Sequence, residues 1–96
     1  MLGTETLNNL LKELGYKSIE EAAIKQIELT LLSKISKYKA EDEFFRKKYK
    51  NDFETFIKKI EVIKNEDFEV EDDIMDWKFA VETMRKYEKQ YHQLVS

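Results

Sequence analysis

From Ile19 to Lys50 the chain runs without a single Gly or Pro, and this stretch constrains the fold more than any other. Ile24, Ile27, Leu31, Ile35, Tyr38, Phe45 and Tyr49 recur at steps of three, four and seven, the spacing of one face of an α-helix. Ala23, Leu32 and Phe44 broaden that face. A continuous helix over this span would be about 48 Å long at 1.5 Å per residue. That exceeds the diameter of a compact domain of 96 residues. Such a helix must bend, protrude or bury its length against another chain. Thr30, Ser33 and Ser36 weaken local helix propensity, and Lys34 and Asp42 lie near the stripe, so residues 33–40 are where a bend would fall if the helix is not continuous.

The flanking segments also read as helices. Leu7, Leu10, Leu11 and Leu14 form an apolar stripe from about Thr4 to Leu14, with Thr4 as its expected N-cap. Gly15 can take the left-handed conformation that closes such a helix. Ser18 and Glu21 have capping-box spacing, so the long helix should start at Ile19. A third helix is expected after Asn51, its cap, with Glu54 at the reciprocal position. Phe53, Phe56, Ile57, Ile60 and Ile63 form its apolar face, and Asn65 is its expected stop. Residues 65–73 read as an extended acidic connector whose Phe68 and Val70 tuck onto a neighbour. The fourth helix is expected to begin near Ile74, capped by Asp72 or Asp73, with a stripe of Trp77, Ala80, Met84, Tyr87, Tyr91 and Leu94.

Composition narrows the chemistry. There is no Cys, which excludes a disulfide scaffold, a thiolate metal site and a Cys nucleophile. The lack of Pro and the presence of only two Gly argue against a turn-rich sandwich or barrel. One His excludes any mechanism that needs two imidazoles. No apolar run approaches the ~18 residues of a membrane span, and no signal-peptide core opens the chain, so a soluble, cytoplasmic protein is expected. No Gly-rich phosphate loop or Ser/His/Asp context is present, so no enzyme activity and no cofactor are expected. The acidic run Glu66 to Asp76 lacks the pattern and the Gly of a calcium loop and reads as a solvated surface. Glu88 and His92 share a helix face, but their spacing is not that of a di-iron bundle, so no metal is expected.

The net charge of -3 hides a segregation. Between Lys34 and Lys59 nine basic residues stand against five acidic ones, whereas between Lys64 and Asp76 seven acidic residues stand against Lys64 alone. Arg46, Lys47, Lys48 and Lys50 beside Tyr49 form a patch that could meet nucleic acid, as the alternative to a solvated helix face. Only Met1 to Gly3 precede the first helix, too few for the β-ribbon of a ribbon-helix-helix repressor. The acidic segment, followed by a helix carrying Trp77, Tyr87 and Tyr91, suits docking to another protein, with burial of those rings in the core of the monomer or of a dimer as the equal alternative.

Three motifs carry a family resemblance. They are Leu14-Gly15-Tyr16-x-Ser18-x-Glu20-Glu21, then Phe44-Phe45-x-x-Lys48-Tyr49-x-x-x-Phe53-Glu54-x-Phe56, then Glu66-Asp67-Phe68-Glu69-Val70-Glu71-Asp72-Asp73-Ile74-Met75-Asp76-Trp77-Lys78. The chain resembles short archaeal and bacterial helical proteins, some of them described as antitoxin components of toxin–antitoxin pairs. It departs from that pattern at Lys50-Asn51-Asp52, where a Gly-Met-Ser type turn is expected. The resemblance implies a non-catalytic protein-binding component that neutralises or regulates a partner encoded nearby, such as a toxin. A purely structural helical module is a further alternative.

The resulting expectation is an all-α chain with a short, a long, a medium and a C-terminal helix. Residues 1–64 would form a helical dimerisation core, and residues 65–96 an acidic connector and amphipathic helix within one domain. Two copies packed antiparallel along residues 19–50 would bury the long stripe as a homodimer. Phe68, Val70, Ile74 and Trp77 would anchor the partner, with Asp72, Asp73 and Asp76 steering it.

Overall fold

The computed structural model describes residues 3–63 and 67–96. It is all-α, with four helices in the expected order: α1 Thr4–Glu13, α2 Ile19–Tyr49, α3 Phe53–Ile63 and α4 Phe68–Val95. No strand occurs among the described residues. The expected stop at Asn65 and the acidic Glu66 lie outside those residues.

Local chemistry explains most boundaries. Gly3, with extended backbone, precedes α1 without any side-chain cap, so Thr4 is the first helical residue and not the cap. Gly15 has φ +88°, the left-handed turn that reverses the chain after α1. The Ser18 hydroxyl accepts the Glu21 N–H at 3.0 Å, and the Glu21 carboxylate accepts the Lys17 N–H at 2.6 Å. Two orphan donors at the start of α2 are thereby satisfied. α2 is one continuous helix through residues 33–40, the place that a bend would have taken. It ends at Lys50, whose φ of 55° occupies the left-handed region that usually favours Gly. Asp52, not Asn51, caps α3, its Oδ1 accepting the Thr55 N–H at 2.8 Å. Asn51 braces the turn instead, donating to the Tyr49 carbonyl and accepting from Lys59.

The largest departure from expectation lies in residues 67–73. They form the first turns of α4, not an extended connector. Asp67 caps the helix by accepting the Glu69 N–H at 2.9 Å, and Glu69 and Glu71 sit in the first turn, where carboxylates complement the positive helix end. Charge density argued against a core strand there, but it is compatible with a capped helix.

α4 is consequently 28 residues long and runs antiparallel along α2. The pairs Lys48–Asp73, Asp42–Trp77, Tyr38–Phe79 and Lys34–Tyr87 fix that direction. α4 therefore covers the α2 stripe from about Leu31 to Tyr49, the stripe that was expected to need a second copy. The core gathers at one end of this hairpin. Phe45 from α2, Phe56 from α3, and Trp77 and Val81 from α4 are buried, with Tyr49, Phe53, Ile60, Val70 and Ile74 around them. The cluster thus draws on both sides of the 64/65 division expected from sequence. The body measures 65 × 28 × 17 Å with a radius of gyration of 20.3 Å. A compact chain of this length would have about 12.5 Å. The molecule is an elongated helical hairpin with a large surface for its size.

Candidate partner-docking face

The two faces of α4 are built differently. Val70, Ile74, Trp77 and Val81 recur at steps of four, three and four and face inward. Trp77 has no exposed surface. Its ring lies 5.6 Å from Phe45 and 5.9 Å from Tyr49 in stacked geometry, 5.3 Å from Phe53 edge-on, and 5.5 Å from Phe56. Its indole N–H donates to Asp42 Oδ1 at 2.8 Å, and Arg46 Nε donates to Asp42 Oδ2 at 2.9 Å. Asp42 is the buried charged residue among those described, and both its oxygens are occupied. What looked in sequence like a blemish on the α2 stripe is the polar partner that lets an indole sit inside.

A second apolar row lies on another side of α4 and reaches the edge of α2 at Phe79. Phe68, Met75 and Phe79 follow one another at steps of seven and four, the repeat of a single helix face. They are 80%, 69% and 60% exposed. Beside Phe79 the α2–α4 groove opens, with a volume of about 490 Å³, lined by Tyr38, Glu41, Phe44, Phe45, Asp76 and Phe79, together with Lys37 and Ala40. Phe44 is 61% exposed there, held edge-on against Phe45 at 5.2 Å. Asp72 and Asp76 flank the row on one side and Glu71 on the other, all exposed. This is an apolar ridge with an acidic rim.

Of the residues expected to anchor a partner, the structure places Phe68, Asp72 and Asp76 on this outer face. It places Trp77 in the core, without exposed surface, and Val70 and Ile74 partly buried against it. The extended reading put alternate residues on one face, whereas a helix separates 68 from 70 and 74 by more than a quarter turn. Asp73 is engaged within the chain. It accepts from Lys48 Nζ at 2.6 Å and from the Tyr49 hydroxyl, while Lys48 also meets Glu69 at 3.0 Å. Those contacts hold the Asp73 carboxyl below its ordinary range, first through Lys48 and then through Tyr49. The Lys48 ammonium is raised by the same bonds, that to Asp73 first. Burial, followed by the Asp73 bond, pushes the Tyr49 hydroxyl up to about 12.

Sequence reasoning missed Phe44 as a surface group, and Met75 and Phe79 altogether. The available signal was the 68–75–79 repeat, visible only once residue 68 is taken as helical.

The basic patch is partly spent. Arg46 pairs with Asp42 and Lys48 with Asp73 and Glu69, while Lys47 and Lys50 remain exposed. Glu54 pairs with Arg85 between α3 and α4, an interaction that holds the Glu54 carboxyl low and the Arg85 guanidinium high. Among the described residues no group of three or more His, Cys, Asp or Glu side chains converges as a metal site. No described helix is long and apolar enough to cross a membrane. No protein-family model, curated protein or solved structure matches the chain.

Proposed function

We propose that this chain is a non-catalytic, antitoxin-like protein-binding component, a cytoplasmic homodimer that neutralises or regulates a partner protein encoded nearby. The observation that carries the reading is the second apolar row of α4. Three large side chains, Phe68, Met75 and Phe79, are mostly exposed, Phe79 touching only the edge of the Tyr38 ring, on a helix that already buries its other face. An apolar row rimmed by polar groups marks a contact surface on a soluble protein. Aromatic and Met side chains contribute disproportionately at such contacts.

The rim specifies the partner's chemistry. Asp72, Asp76 and Glu71 favour an amphipathic helix or loop with Lys and Arg beside its apolar anchors, as a basic toxin would carry. Complementary charge accelerates the encounter, and Phe44, Met75 and Phe79 supply the buried contact. The nucleic-acid alternative is weakened by the pairing of Arg46 and Lys48 with carboxylates, which leaves Lys47 and Lys50 as the exposed charges of that patch.

Co-expression with the product of the adjacent gene, followed by co-purification, tests the proposal. The wild-type chain is expected to retain the partner. The pair Met75→Glu and Phe79→Glu should lower affinity at least ~100-fold, two anchors at more than about 1.4 kcal/mol each. The variant should keep the parent's helical circular dichroism, because both positions are mostly exposed and only the Phe79 contact with Tyr38 is lost. Undiminished capture by that variant would remove the proposed face.

A further inference from the structure

We propose that the groove between α2 and α4 seats an arginine side chain of the docked protein, its guanidinium lying over Phe44 and Phe79 and paired with Glu41 and Asp76. This rests on the partner-docking reading of the preceding section and names the partner side chain on which recognition turns.

The register of the hairpin builds the seat. Glu41 and Phe44 are three apart on α2, Asp76 and Phe79 are three apart on α4, and all four line the same groove. The antiparallel pairs Tyr38–Phe79 and Asp42–Trp77 set Glu41 about level with Phe79, and Phe44 about level with Asp76. A carboxylate on one helix therefore stands across from a ring on the other at two successive levels, about 4.5 Å apart along the axis at 1.5 Å per residue. Both rings are held from within the chain, Phe44 edge-on against buried Phe45 and Phe79 edge-on against Tyr38. More than half the surface of each still faces solvent.

The pairing of charges singles out this place. Asp42 meets Arg46, Asp73 and Glu69 meet Lys48, and Glu54 meets Arg85. Glu41 and Asp76 enter no ion pair among the described residues. Lys34, Lys37, Lys48 and Lys86 each lie over a tyrosine ring, whereas no cation among the described residues lies over Phe44 or Phe79. Lys37, the basic residue of the groove lining, is turned to Tyr38 at 5.2 Å.

An occupant has to satisfy rings and carboxylates together. An apolar anchor would cover the rings but strip water from two carboxylates without pairing them, which is unfavourable. A metal ion would meet too few oxygens, since no three acidic or His side chains converge among the described residues. A lysine ammonium is a compact, strongly hydrated point charge. A guanidinium is more weakly hydrated, stacks flat on aromatic rings and presents a fork of donors to carboxylates. Its chemistry matches both halves of the groove.

NMR titration of the full chain with N-acetylarginine N-methylamide at about 50 mM salt tests the inference, with the lysine and norleucine analogues as comparisons. The arginine probe should shift the signals of Glu41, Phe44, Asp76 and Phe79 together in one process. It should bind at least ~3-fold tighter than the lysine probe and ~10-fold tighter than the norleucine probe. Glu41→Gln with Asp76→Asn should weaken it at least ~5-fold at unchanged helical circular dichroism, since both side chains are exposed and outside the ion pairs of the chain. A norleucine probe that binds as well as arginine would make the groove a seat for an apolar anchor and overturn the inference. So would an arginine response that the double variant leaves intact, or one scattered over the acidic surface. None of these touches the docking reading while the neighbouring gene's product is still captured. Loss of that capture beside an intact arginine response would overturn the docking reading and leave the chemistry of the groove standing.

Discussion

The most demanding test of the core concerns Asp42. Replacing it with Ala leaves the Trp77 indole N–H, on a side chain with no exposed surface, without an acceptor. A buried unpaired donor costs about 1–3 kcal/mol, and the lost bond was assisted by the carboxylate charge. The other consequence is small. The Arg46 side chain is 53% exposed and hydrates once released, so its i,i+4 pairing contributes only about 0.3–0.5 kcal/mol. The sum is about 1.3–3.5 kcal/mol, out of roughly 5–14 kcal/mol for a domain of this length. At about 4–8 °C per kcal/mol, Tm should fall by roughly 5–28 °C. Asp42→Asn keeps a side-chain oxygen facing the indole and should cost only about 1 kcal/mol. Urea unfolding followed by circular dichroism, at one protein concentration for all variants, measures these values. A cycle that adds Trp77→Phe should show about 1–2 kcal/mol of coupling. The reasoning fails if Asp42→Ala lies within about 0.5 kcal/mol of wild type, or if Asn costs as much as Ala.

The Lys48–Asp73–Tyr49 cluster sets a pH dependence at both ends. Asp73 is depressed in the folded chain, so its contribution is complete above the unfolded value of about 3.9 and is lost as pH falls below it. Tyr49 is raised from 10.0 to about 12, so its contribution is complete below about 10 and is lost as pH climbs toward 12. Trp77 fluorescence during acid and alkaline titration should show both losses, and an acid limb no shallower in Asp73→Asn would refute the assignment. Lys50 occupies left-handed backbone at φ 55°, so Lys50→Gly should stabilise by about 0.5–1 kcal/mol in urea unfolding, and a neutral or negative effect would contradict that account.

Helix number, order and most ends were legible because they depend on local chemistry. The Ser18–Glu21 box and Gly15 marked the joint after α1, and the run Asn51-Asp52-Phe53-Glu54 marked the start of α3. The start of α4 was misread because Phe68 and Val70 alternate among acids, a pattern shared by a strand edge and by a helix whose two faces are both apolar. Capping by Asp67 decides between them, and its alternatives at Asp72 and Asp73 looked equally good. The site followed from that misreading. Trp77 was correctly picked out as important, but whether an indole anchors a partner or a core depends on a distant acceptor, and no spacing rule connects residue 77 to residue 42. The reach of α4 along α2 was hidden for the same reason, since it is a property of pairing between segments and not of either one.

Trp77 and the four aromatic rings that meet it occupy one end of a body 65 Å long. Substitutions at the α1 end lie far beyond the 7–10 Å over which mutational effects interfere. The leucines there can therefore drift in response to whatever they touch without disturbing the indole's surroundings. Duplicated copies of such a gene can diverge in whom they pair with at one tip while keeping the opposite tip intact.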